Sequence, residues 1–143
     1  MARGALSRRR GAGQPAGVSR VLAVPPADPS DAAAVFARRL AVETDPSDVS
    51  ADLRAGVPGL VVVDCRSPEA YAAGHVPGAV SMPWRDITGE GLDPAATYVT
   101  YCWSESCNAG DRGALALARL GLRVKLMLGG VAGWEREGLS LQR

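Results

Sequence analysis

Leu60-Val61-Val62-Val63-Asp64 is an unbroken aliphatic run, three of its residues β-branched, closed by one acid. β-Branched side chains are stiff at χ1 and suit a pleated, extended backbone. A strand with one wet face alternates apolar and polar residues, and this run does not alternate. Continuity therefore predicts a strand buried on both faces, as in a parallel sheet covered by helices. Parallel neighbours need crossover connections, so the rest of the chain must supply helices between strands.

It does so at short spacing. Ser30 or Asp31 is placed to cap a helix through Ala32–Leu40, where Ala33, Val35, Phe36, Leu40 and Val42 recur at three-to-four spacing. Asp45-Pro46-Ser47 breaks it, and Ser47 is placed to cap a second short helix with Val49, Leu53 and Ala55 inward. Residues 68–73 read as a helix begun by Pro68 and ended by Gly74. Residues 79–82, 97–101 and 124–128 read as strands. Residues 109–120 read as a helix with Leu115, Ala118 and Leu120 as core contacts, stopped by Gly121. A last helix runs from Gly129-Gly130 to Glu137. The expectation is an α/β domain with a mainly parallel sheet flanked by helices.

With 143 residues the chain suits one domain. A chain of this size hides roughly two-thirds of its unfolded surface, so it needs no disulfide or metal to hold together. No apolar run reaches the roughly 18 residues of a membrane span. Three cysteines make no disulfide framework, and the N-terminus has no signal-peptide core. The expected compartment is a reducing cytoplasm.

Residues 1–26 read as a disordered Arg/Gly/Ala-rich tail, and residues 27–143 as the folded domain. Arg3, Arg8, Arg9, Arg10 and Arg20 lie in the first twenty residues with no acid among them. The remaining 11 basic and 15 acidic residues leave the body at −4, which argues against a nucleic-acid partner.

Ligands of parallel sheets sit at the carboxyl ends of the strands. Cys102 follows the predicted strand Thr97–Tyr101, and Trp103-Ser104-Glu105-Ser106-Cys107-Asn108 leads from it into a helix. A small, polar strand-to-helix loop can turn its amides inward. Together with the positive helix end, such a nest binds an anion and lowers a thiol pKa. Cys102 is thus placed to act as a thiolate nucleophile. The plainer alternative is a small buried hydrophobe.

Three segments, in order, resemble one known family. Asp64-Cys65-Arg66, Glu69-Ala70-Tyr71 and Gly74-His75-Val76-Pro77-Gly78-Ala79 resemble the first signature of rhodanese-like sulfurtransferases. Tyr101-Cys102 resembles the end of the active strand, and Leu128-Gly129-Gly130 with Trp134 resembles the closing L-x-G-G-x-x-x-W motif. The likeness spans roughly residues 47–140. It implies a three-layer rhodanese-like domain with a central, mainly parallel five-stranded sheet. It implies a Cys102 persulfide that passes a sulfane sulfur from a small donor or protein persulfide to a thiol or cyanide-type acceptor. No cofactor, metal or membrane is implied, and nothing bears on oligomeric state. Trp103, Ser104, Glu105, Ser106, Cys107 and Asn108 would form the substrate loop, with Asp64, Arg66, His75 and Arg112 in support.

The loop departs from the common C-x-x-G-x-R-S pattern, for Glu105 and Cys107 stand where the glycine and arginine belong. It resembles instead a subgroup with C-W-x-x-x-C-N. Counting from Cys107 restores C-x-x-G-x-R through Gly110 and Arg112 but puts the nucleophile five residues beyond the strand. Cys102 is preferred. Cys107 is then a disulfide partner, a persulfide-resolving thiol or a structural residue. A related phosphatase would need arginine six residues after the nucleophile, where Asn108 stands. Zinc would need a second ligand pair that Cys102 and Cys107 lack, and His75, the sole histidine, reads as a loop-fixing hydrogen-bond donor. Asp64, Arg66 and Glu69 read as a supporting polar network. Glu105 is expected to raise the thiol pKa and to repel thiosulfate, favouring persulfide donors. Two further readings stay open: a non-catalytic binding module docking through Trp103, and a redox sensor switching through Cys102 and Cys107.

Overall fold

The computed structural model describes residues 17–143. Part of the tail assigned to residues 1–26 therefore lies outside the described residues. Residues 17–28 carry one short 3₁₀ turn, Val21–Ala23, and are exposed.

Five strands build one sheet: β1 (Glu43–Thr44), β2 (Leu60–Asp64), β3 (Val80–Ser81), β4 (Thr97–Tyr101) and β5 (Arg123–Met127). The order is β1-β5-β4-β2-β3 and every pairing is parallel. The helices are α1 (Pro29–Val42), α2 (Pro46–Ala55), α3 (Pro68–Ala73), α4 (Ala109–Arg119) and α5 (Gly130–Arg136). The valine run is β2, paired with β4 along its whole length and with β3 at Val63 and Asp64; Val62, Val63 and Asp64 are buried, and Leu60 and Val61 partly so.

The strand pleat sends alternate residues into two separate cores. Val62, Val99, Tyr101 and Met127 join Val49 of α2 and Val131 and Trp134 of α5 on one face. Val63, Cys65 and Tyr98 meet Leu117 of α4 on the other. The result is the expected three layers. Trp134 is core, as anticipated, and its indole N–H donates to the Ser140 carbonyl at 3.0 Å.

Several local expectations need correction. α1 starts at Pro29, and neither Ser30 nor Asp31 caps it; the cap position is Asp28, without a side-chain bond. Asp45, not Ser47, caps α2, its Oδ1 accepting from the Asp48 amide at 2.9 Å. Asp45 lies outside the helix with its side chain free to turn back, whereas Ser47 is already inside the first turn. β1 was missed. It is two residues long and is set by its register on Leu126 and Met127, not by propensity of its own. The apolar stripe of α1 faces solvent, with Phe36 56% and Leu40 73% exposed. In α4, Leu117 is the core residue, while Leu115, Ala118 and Leu120 are exposed. Gly110 and Gly113 turn the inner face of that helix, and a Cβ on Gly113 would overlap the Cys65 sulfur. Cys65 is small because that contact leaves no room.

Candidate active site

Register at the carboxyl edge of the sheet starts the site. Asp64 ends β2 directly opposite Tyr101, which ends β4. Asp64 accepts from the Arg66 amide at 3.0 Å, from Arg66 Nη2 at 2.7 Å and from the Tyr101 hydroxyl at 2.7 Å. Arg66 Nη2 also donates to the Gly74 carbonyl at 2.6 Å, and the Tyr101 oxygen accepts from the Val76 amide at 3.1 Å. All three side chains are buried. A buried ion pair persists only when its remaining donors and acceptors are satisfied. Here they are: among the described residues no buried side-chain nitrogen or oxygen lacks a partner. Burial, and then the bond to Asp64, hold the Tyr101 hydroxyl far above its ordinary pKa.

Glu69 does not join this network; it is exposed in the first turn of α3. His75 is buried, its ring stacked 3.8 Å from that of Tyr71 and its Nδ1 2.9 Å from the Tyr71 carbonyl. Its backbone exchanges two 2.8 Å bonds with Gln142. It fixes its loop, as expected, and lines neither cleft beside the cysteines.

Cys102 sits at the end of β4 and is 4% exposed. Its carbonyl accepts from the Val131 amide at 3.0 Å, and that of Trp103 from the Ala132 amide at 2.8 Å. The first amides of α5, which have no partner within their own helix, thus clamp the cysteine loop from below. Gly130 permits this approach. At φ +56°, a side chain there would run into the Cys102 carbonyl and the Trp103 backbone. The Gly129-Gly130 pair is therefore more than a turn before a helix.

A disulfide joins Cys102 to Cys107, with Cα atoms 6.2 Å apart. The loop it closes is a tight turn: the Cys107 amide donates to the Ser104 carbonyl at 3.2 Å, and the Ser104 and Ser106 hydroxyls meet at 3.0 Å. Asn108 precedes α4 without capping it, because its Oδ1 accepts from Arg112 Nε at 3.2 Å. Both sulfur-bearing residues border a cleft of about 480 Å³ walled by Arg66, Trp84, Arg85 and Trp103. They also border a smaller one of about 230 Å³ on the Glu105 side of the loop.

Glu105 forms an ion pair with Arg136 of α5. Its carboxyl is held below the usual range, by a bond from its own backbone amide first and by Arg136 second. The isolated negative charge expected at this position is thus offset by a cation. Burial, with Asp64 adjoining, pushes the Cys65 thiol up to about 12, so Cys65 is the inert cysteine. Among the described residues no group of three or more His, Cys, Asp or Glu side chains is placed to hold a metal.

A model of the rhodanese-like domain matches residues 45–137. The chain belongs to the rhodanese-like domain family. It is 36% identical to the BH2092 protein from Bacillus halodurans, with a TM-score of 0.77, over 80% of this chain and 86% of that one. It is 28% identical to a protein from Lactobacillus plantarum, with a TM-score of 0.70, over 80% and 98% of the two chains. The rhodanese-like domain of the Alr3790 protein from Anabaena sp. shares the fold at 23% identity and a TM-score of 0.64, over 70% of this chain and 77% of that chain. No curated protein matches significantly.

Three further residues stand around this rhodanese-like site. Trp84 lies with the guanidinium groups of Arg85 and Arg112 each 4.9 Å from its ring centroid. Trp84 and Arg85 follow a two-residue strand and carry no motif; only their place beyond a strand's carboxyl end hinted at the mouth. Arg136 was not singled out at all. It reaches the loop because α5 packs beneath it. No helix among the described residues is long and apolar enough to cross a membrane.

Proposed function

We propose that the chain is a sulfurtransferase that carries a sulfane sulfur on Cys102. The observation that supports this best is the position of Cys102. It ends the central strand and borders a cleft with guanidinium groups on its walls, and its backbone is clamped by α5. Reduction of the Cys102–Cys107 bond frees the nucleophile. With thiosulfate as donor, the Cys102 thiolate attacks the outer sulfur, the S–S bond breaks and sulfite leaves with the electron pair. With a persulfide donor the leaving group is a thiolate. The product is a Cys102 persulfide, and a thiol or cyanide-type acceptor then takes its terminal sulfur and returns the thiolate. Because Arg136 offsets Glu105, the repulsion of thiosulfate is weakened, and both donor classes belong to the proposal.

The test is intact-mass and peptide-mass spectrometry on the reduced chain, incubated with thiosulfate or with a low-molecular-weight persulfide. One added sulfur on the Cys102 peptide of Cys107→Ser, where no second thiol lies beside it, and none on Cys102→Ser, is the expected result. An adduct lost only in Cys107→Ser assigns the chemistry to the other cysteine. No adduct on any of these proteins and no hydrosulfide released from either donor leaves a binding module, for which the half-exposed Trp103 beside the cleft would be the docking residue.

A further inference from the structure

A sulfurtransferase needs one cysteine, and here a second is bonded to it. The Cα separation of 6.2 Å lies within the roughly 4.4–6.8 Å that disulfides span, so β4 and α4 hold the two sulfurs in reach as folded. The reach is set by the Ser104 turn, which brings Cys107 back over the strand end. Cys107 is also the less buried of the two and faces both clefts. A persulfide formed on Cys102 would therefore sit beside a thiol before any external acceptor arrived. Holding reactants together in this way raises their effective concentration far above that of a free thiol.

We infer that Cys107 discharges the Cys102 persulfide within the chain, releasing hydrosulfide and leaving the disulfide seen in the structure. This rests on the proposed loading of Cys102. The Cys107 thiolate attacks Sγ of Cys102, the inner sulfur of the persulfide. The bond from Sγ to the outer sulfur breaks, and the outer sulfur leaves as hydrosulfide with the electron pair. One Cys102–Cys107 bond forms. The sulfane sulfur is reduced by two electrons, and the two cysteines together are oxidised by two. An external dithiol reductant returns both thiols for the next cycle. The net activity is a persulfide reductase, in which sulfane sulfur from the donor becomes hydrosulfide at the expense of a dithiol. Attack on the outer sulfur would instead move the sulfane to Cys107 and leave no disulfide, so the two routes differ in whether a Cys102–Cys107 bond forms.

The experiment uses the full chain, reduced, freed of reductant under anaerobic conditions and mixed with one equivalent of glutathione persulfide. Hydrosulfide is trapped with a bimane reagent and the protein mass is read in parallel. Parent protein is expected to release one hydrosulfide per chain without added acceptor and to end two hydrogens lighter than its reduced form. Cys107→Ser and Cys107→Ala are expected to keep the added sulfur on Cys102 and to release it only to cyanide, as thiocyanate, which also shows that they are folded and loaded. A parent that keeps the added sulfur as long as those variants, without releasing hydrosulfide, overturns the inference while leaving the sulfurtransferase reading intact. Failure of parent and both Cys107 variants to take up sulfur overturns both.

Discussion

The guanidinium carbon of Arg66 lies 4.3 Å from the centroid of the Trp103 ring. The same guanidinium is bonded to Asp64 and to the Gly74 carbonyl in the interior. One side chain thus ties the buried network at the sheet edge to the exposed wall of the cleft. Stacking and a bidentate fork together suit arginine and not lysine.

Arg66→Lys keeps the charge but loses the fork and much of the stack. Breaking a buried pair typically costs about 3–5 kcal/mol, and the retained ammonium should leave the loss toward the lower end. Urea denaturation is expected to show that loss, with sulfur loading of Cys102 reduced alongside it. Unchanged stability would mean that the pair contributes nothing net to the fold.

Tyr101→Phe removes the hydroxyl that donates to Asp64 and accepts from the Val76 amide. The buried Val76 amide then lacks a partner, at about 1–3 kcal/mol, and Asp64 is left with Arg66 alone. The expected result is a lower urea midpoint with an unchanged denaturant slope. Because Tyr101 precedes Cys102 directly, loading kinetics read on the same variant show whether the strand end must be rigid.

Gly130→Ala places a methyl group against the Cys102 carbonyl at a backbone conformation that suits glycine. Either α5 or the cysteine loop must shift. Sulfur uptake is expected to fall by an order of magnitude or more, in line with the roughly hundredfold penalty that small displacements of reacting groups carry. Gly121→Ala is the control, for it also has positive φ but meets nothing within 4 Å. It should cost stability without touching uptake.

Stability should fall on the alkaline side through Cys65. Its thiol is raised from 9.0 to about 12 in the folded chain. Between those values the unfolded chain has released this proton and the folded chain has not, so rising pH favours unfolding. The contribution is complete below about pH 9 and is lost as pH rises toward 12. Cys65→Ala should flatten part of the decline measured by denaturation between pH 9 and pH 10.5. A variant with the parent's slope would show that Cys65 plays no part in it.

The pair between Glu105 and Arg136 sets the charge beside the loop. Arg136→Gln leaves Glu105 unopposed and should lower kcat/KM for thiosulfate more than for an uncharged persulfide. Glu105→Gln should do the reverse. Both effects should shrink as ionic strength rises, because the two side chains are exposed. Equal responses of the two donors would remove charge from the account of donor choice.

The sequence carried the centre of this molecule better than its periphery. Leu60–Asp64, Thr97–Tyr101 and Pro68–Ala73 form the elements read from them, residue for residue, because local pattern and burial agree there. β1 could not be read, for two residues have no period and its partner lies 83 positions away in register. The stripe on α1 shows the limit of periodicity, which reports that one face is apolar but not that anything covers it. At the site, Asp64, Arg66 and Cys102 were legible through their motifs. Arg136 was not, because only the packing of α5 under the loop brings it near.

Both borders of the sheet, β1 and β3, are two residues long. A foreign strand needs a row of open amides and carbonyls to pair with, and these borders offer almost none. The valine run, with the composition that suits amyloid-like stacking, is paired with β4 along its whole length, and its last three residues are buried. The same topology that sets Cys102 at the carboxyl edge of the sheet keeps the inner half of that run out of reach of another copy.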